Sequence, residues 1–159
     1  MKMLAKCLGA VALVLVVIFA YLVAGTRLQV SASNETIIPA AEHSELFEQT
    51  MRAVRAGEMG DRLYSAAPQG DIDDYVFITI DVSVGSFGLL PCEWITAGVS
   101  PMEGDIALIQ NRLPDAQPLG RQKGQIILLA EADRAQTGHH VWIEYYALGY
   151  RTYADAKLK

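Results

Sequence analysis

From Leu8 to Gly25 the chain carries no charged and no strongly polar side chain. As a helix, this stretch would be roughly 27 Å long, close to the hydrocarbon thickness of a bilayer. A helix packed on a soluble core keeps a polar face toward water, and this stretch has none to offer. Lys2 and Lys6 precede the run, and only Arg27 is basic between its end and Arg52. That asymmetry predicts a cytoplasmic N-terminus, a membrane-embedded segment over residues 7–25, and export of everything beyond about residue 26.

A cleaved signal peptide is the competing reading. Its apolar region is usually about 7–15 residues, shorter than this run. The small-residue pattern Val30-Ser31-Ala32 lies well past the end of the apolar stretch. Cys7 does not fit a lipidation site, because Lys6 precedes it and the apolar stretch follows it.

The net charge is −5, but it is unevenly spread. Lys2, Lys6 and Arg27 are three of the 13 Lys and Arg, and none of the 18 Asp and Glu precedes residue 28; the remainder holds 10 basic against 18 acidic residues, a net of −8. An acidic domain of this kind is repelled by nucleic acid and by anionic headgroups. Only Cys92 lies in the exported part, so no disulfide can form within it. Its stability must come from an apolar core.

Residues 27–38 are polar and read as a linker, with Asn34-Glu35-Thr36 as a formal glycosylation acceptor. Pro39 can open a helix, where its missing N–H costs nothing. Leu46, Phe47, Met51 and Val54 then recur at helical spacing, with Glu42, Glu45 and Glu48 early and Arg52 and Arg55 late, as the helix dipole prefers. An amphipathic helix is expected over 39–57, ended by Gly57 or Gly60, so that residues 39–60 form one unit.

From Tyr75 the period becomes two. Val76, Ile78, Ile80, Val82 and Val84 fall on one face, and Tyr75, Phe77, Thr79, Asp81 and Ser83 on the other. Further strands are expected at 90–99, 105–110, 125–131, 139–148 and 150–156, separated by turns rich in Gly and Pro. The near-continuous apolar run of the 125–131 strand predicts burial on both faces. No alternation of strand and helix follows residue 75, which argues against a doubly wound fold. The expectation is a mainly β chain: an antiparallel, Ig-like β-sandwich of about six or seven strands over residues 61–159, preceded by an N-terminal transmembrane helix and one amphipathic helix.

The strand Val76–Val84, its glycine turn, and the run Gly88-Leu89-Leu90-Pro91-Cys92-Glu93-Trp94-Ile95 resemble a segment of bacterial extracytoplasmic Ig-like modules of the cell-adhesion-related (CARDB) type. The Pro-rich loop leading to Gly124-Gln125-Ile126-Ile127-Leu128 is similar to their later half. The resemblance spans residues 72–158 and implies adhesion, display or spacing at the cell surface. The Pro91-Cys92 start of the second strand departs from the pattern.

Candidate chemistry is sparse. His139 and His140 are adjacent, so in a strand they point to opposite faces and cannot chelate one ion together. His140 shares a face with Trp142, Glu144 and Tyr146, a stripe suited to binding a partner. Asp71, Asp73 and Asp74 are hard oxygen ligands at a spacing that can hold Ca²⁺, with Glu103 and Asp105 as helpers only if folded nearby, but the 12-residue loop with a distal bidentate Glu is absent and a solvated turn is the favoured reading. Cys92 with either histidine would be needed for thiol catalysis, yet Cys92 falls within an apolar strand, where a thiol is usually inert. Trp94 is read as a core residue between the sheets. No phosphate loop, zinc spacing or dinucleotide fingerprint occurs.

These residues point to a non-catalytic, membrane-anchored extracytoplasmic module that meets a protein partner in the cell envelope through His140, Trp142, Glu144 and Tyr146. No catalytic, cofactor-binding or metal-ligating residue is assigned, and no nucleic-acid partner is expected. The alternative is an envelope enzyme or a metal-dependent binding protein using Asp71, Asp73 and Asp74 or the histidines.

Overall fold

The computed structural model describes residues 2–56, 70–101 and 105–158. In chain order the elements are α1 (Lys2–Gly25), β1 (Leu28–Pro39), a 3-10 turn (Ala40–His43), α2 (Ser44–Ala56), a second 3-10 turn (Ile72–Asp74), β2 (Tyr75–Ser86), β3 (Glu93–Ser100), β4 (Asp105–Gln110), β5 (Arg121–Glu131), β6 (His140–Ala147) and β7 (Tyr150–Leu158).

The strands make a β-sandwich. One sheet runs β4-β5-β2-β1 and the other β3-β6-β7, with every pairing inside a sheet antiparallel. A short parallel pairing, Ser31 with Lys157 and Ala32 with Leu158, joins β1 to β7 and links the two sheets at that side. At the other side the chain leaving β4 crosses over and bonds to β3. There, Ala97 N–H donates to Asn111 O at 2.7 Å, Leu113 N–H to Ile95 O at 2.8 Å, and Cys92 and Ala116 exchange two bonds. The outer edge of β3 is thereby covered.

The alternation read from the sequence is realised on both faces of β2. Val76, Ile78, Ile80, Val82 and Val84 enter the core between the sheets, together with Ile126 and Leu128 of β5 and Val141, Ile143 and Tyr145 of β6. Tyr75 and Phe77 point the other way, into a second cluster with Leu129, Phe47 and Met51. Helix α2 covers that outer face: Phe47, Thr50, Met51 and Val54 are its buried side. The two-sided burial expected of β5 follows from this arrangement, with Ile126, Leu128 and Ala130 inward and Leu129 beneath the helix.

Residues 27–38 are not a linker. They form most of β1, whose register with β2 runs from Leu28 opposite Ser86 to Pro39 opposite Val76. Leu28 and Ala32 are buried, and Val30 packs against them. The strand is hidden in the sequence because its central residues, Ser31, Ser33, Asn34 and Glu35, are polar. Ser31 and Ser33 are fixed by backbone pairing to Ser83 and Asp81 of β2, and Asn34 and Glu35 by side-chain bonds, such as Asn34 Nδ2 to Asp81 Oδ2 at 3.0 Å. A shift of register between Ser33 and Thr36 marks a bulge there. The helix expected from residue 39 starts later, because Pro39 still belongs to β1 and a 3-10 turn intervenes. α2 therefore lies between β1 and β2 in sequence and does not precede the whole sandwich. Gly57 and Gly60 lie outside the described residues.

The α1 backbone is helical for 24 residues. Counted over described residues, however, no helix is long and apolar enough to cross a membrane; the unbroken run of described side chains in α1 covers residues 6–22. A full crossing is not supported on those residues alone. At its end α1 meets the sandwich, where a β-carbon added to Gly25 would lie 2.7 Å from the Cα of Gly88.

Candidate functional site

In β6, inward and outward residues alternate along its whole length. Val141, Ile143, Tyr145 and Ala147 are buried, which turns His140, Trp142, Glu144 and Tyr146 to the outer face of the sheet. Register extends that face sideways. Gly98 and Asp155 flank Trp142, Thr96 and Tyr153 flank Glu144, and Glu93 and Arg151 flank Tyr146.

The indole of Trp142 occupies the space over Gly98 and lies beside Tyr153, with ring centroids 6.3 Å apart. The Arg151 guanidinium stacks 5.5 Å from the Tyr153 ring and bonds to the Glu144 carboxylate. That bond is the main reason the guanidinium's pKa is raised. Glu144 is thus largely covered, its side chain only 16% exposed, while Trp142, Tyr146 and Tyr153 stay open to solvent beside His140, Arg151 and Asp155. His140 Nε2 lies 3.6 Å from Asp155 Oδ1, both well exposed.

Trp94 is not a core residue. It is 60% exposed and has a left-handed backbone, φ 53°. The cause is a bulge: the β3–β6 register shifts between Glu93 and Thr96, so Cys92 and Ile95 both point inward while Glu93 and Trp94 both face out. The conformation is held by Trp94 N–H donating to Asp115 Oδ1 at 2.9 Å and by the Arg112 guanidinium 4.5 Å over the ring. Trp94 and Tyr146 line an open groove of about 630 Å³ with Leu90, Pro91 and Leu148. A bulge is set by pairing across strands, and the only trace of it in the sequence is the blurred alternation after Pro91.

The remaining candidates sit elsewhere. Asp71 and Asp74 shape the turn before β2, with Asp71 N–H donating to Asp74 Oδ2 at 2.8 Å. Among the described residues, no three His, Cys, Asp or Glu side chains converge as a metal site would require; Glu103 and Gly104 lie outside those residues. Cys92 is fully buried, its Sγ 3.8 Å from Thr26 O, and burial raises its pKa. It precedes β3 at one end of its sheet, while the histidines lie at the other, where Ser100 pairs with His140. Seven residues of strand separate these ends, roughly 23 Å. His139 is not on the strand face. Its side chain is buried against Glu35 of β1, Nδ1 to Oε1 at 2.5 Å, and Glu35 also accepts from Gly138 N–H.

The fold and this face define a β-sandwich protein with an aromatic outer surface. No protein-family model matches the chain, and no curated protein matches it at a significant level. Among solved structures it is similar to an uncharacterized beta-sandwich protein from Clostridium difficile 630, with 10% identity, 82% of this chain and 86% of that chain covered, and a TM-score of 0.34.

Proposed function

We propose that this protein is a membrane-anchored, extracytoplasmic Ig-like module with a non-catalytic role in the cell envelope. α1 is its anchor, and the Trp142–Tyr146 face binds a protein partner. The observation that carries the reading is the surface of α1. Every residue from Lys6 to Tyr21 is exposed, among them Leu8, Val11, Leu13, Val16, Val17 and Phe19 at 59–69%. Water opposes such a surface at about 25 cal/mol per Å² of apolar area, and lipid relieves it.

The Ig-like assignment is supported by strand order. Lettered in sequence, the sheets β4-β5-β2-β1 and β3-β6-β7 become D-E-B-A and C-F-G, the constant-type arrangement. Because the edge of β3 is already bonded, no strand can be added there, and a partner on the outer face is met by side chains. Exposed Trp and Tyr suit that purpose.

Membrane fractionation of cells expressing the full chain tests the anchor. The protein should stay in the pellet through alkaline carbonate and leave it in detergent, and protease outside spheroplasts should digest residues 30–159. Release by carbonate, or full protection from external protease, overturns the reading.

A further inference from the structure

We infer that the end of the sandwich next to α1 is itself a lipid-contacting surface, which dips apolar side chains into the headgroup region. The inference rests on the anchor reading above. Strand register gathers at this end the start of β1, the 87–92 loop, the 117–120 turn and the β6–β7 turn. Leu119 N–H donates to Gly88 O at 3.0 Å, and Gly88 in turn touches Gly25, so these loops are contiguous with the end of α1.

The loops are unusually apolar. Phe87, Leu89, Trp94, Leu119, Leu148 and Tyr150 are each 56–76% exposed. Among the described residues, four non-glycine positions have positive φ, and three of them are Trp94, Leu119 and Leu148. The β6–β7 turn is the clearest case. Leu148 and Gly149 have φ 53° and 75°, a two-residue turn whose first position ordinarily takes Asn, Asp or Gly. A leucine there is unfavourable in backbone and in water, and contact with lipid removes the second penalty.

Charge points to the same occupant. Arg27, Arg112 and Arg121 lie at this end with Arg151, against Glu93, Asp115 and Glu144, whereas at the opposite end Asp71, Asp73, Asp74, Glu131 and Asp133 stand against Arg134 and, beside Asp71, Arg52 and Arg55. The acidic domain therefore turns its less acidic end to α1. Arginines beside exposed aromatic and leucine side chains match an anionic lipid–water boundary.

Trp94 and Trp142 are the only tryptophans, and Trp142 lies about 13 Å further from this end than Tyr146. The full chain is reconstituted into phosphatidylcholine–phosphatidylglycerol vesicles carrying lipids brominated near the headgroup. With Trp142→Phe, Trp94 fluorescence should be quenched several-fold more than that of Trp142 in the Trp94→Phe chain. Adding Leu148→Asn to Trp142→Phe should weaken Trp94 quenching while leaving the melting temperature equal or higher, since Asn suits the turn. If the chain floats with vesicles but Trp94 is quenched no more than Trp142, anchoring stands and this inference falls. If the chain does not float, the anchor reading falls, and this one with it.

Discussion

Trp142 lies over the backbone of Gly98: a β-carbon on Gly98 would come within 2.7 Å of Nε1 and closer still to the ring carbons. The glycine is therefore part of the aromatic face. Gly98→Ala should displace the indole, changing the near-UV circular dichroism and costing about 1–3 kcal/mol of stability if the strand cannot yield. Trp142→Ala should leave the fold intact and weaken capture of an envelope partner, by about 2 kcal/mol if Trp142 is an anchor of that contact. Equal binding by this variant in a pull-down from solubilised envelopes would remove Trp142 from the surface.

Ile80 is fully buried at the centre of β2, opposite Ile126 of β5. Ile80→Ala should destabilise the sandwich by about 2–5 kcal/mol in denaturant titration. A loss below about 0.5 kcal/mol would contradict the register.

Burial raises the pKa of the Cys92 thiol above its ordinary 9.0 and that of the Tyr145 hydroxyl above its ordinary 10.0. For Tyr145, a bond accepted from Leu28 N–H opposes the rise. Above pH 9 the unfolded thiol ionises while the folded one holds its proton. Stability is thus full below pH 9 and falls as pH rises beyond it. Cys92→Ala should flatten the first part of that decline in thermal melts taken between pH 8 and 10. Cys92→Ser should lower stability while leaving cellular function unchanged.

Glu35 holds His139 and Gly138 against β1, with the Glu35 and His139 side chains at most 7% exposed. Glu35→Ala should cost about 1–3 kcal/mol, because it withdraws a buried acceptor from two donors. Equilibrium unfolding of the variant measures this, and an unchanged midpoint would mean the pair contributes nothing to stability.

The β2 pattern is legible in the sequence because five apolar residues alternate without interruption, so period alone assigns both faces of the strand. β6 is legible for the same reason, and with it the common face of His140, Trp142, Glu144 and Tyr146. β1 is not, since its polar middle carries no hydrophobic signal and is held by pairing with a strand about 50 residues later. Trp94 lies on the side opposite to the one its sequence context suggests, because one bulge reverses the facing of the residues after it, and bulges depend on the neighbouring strand. The placement of His139 off the strand face depends on Glu35, a contact 104 residues away in sequence.

β1 is bonded along one side to β2 and, at Ser31 and Ala32, along the other to β7, which runs in the same direction. Traction applied between the α1 end of β1 and the far end of β7 is directed along these strands. The hydrogen bonds on both sides of β1 then bear the load together, in shear, and must break in concert instead of unzipping singly. The same short parallel pairing that closes the sandwich also makes it a mechanical clamp, resisting extraction along the axis by which α1 would hold it.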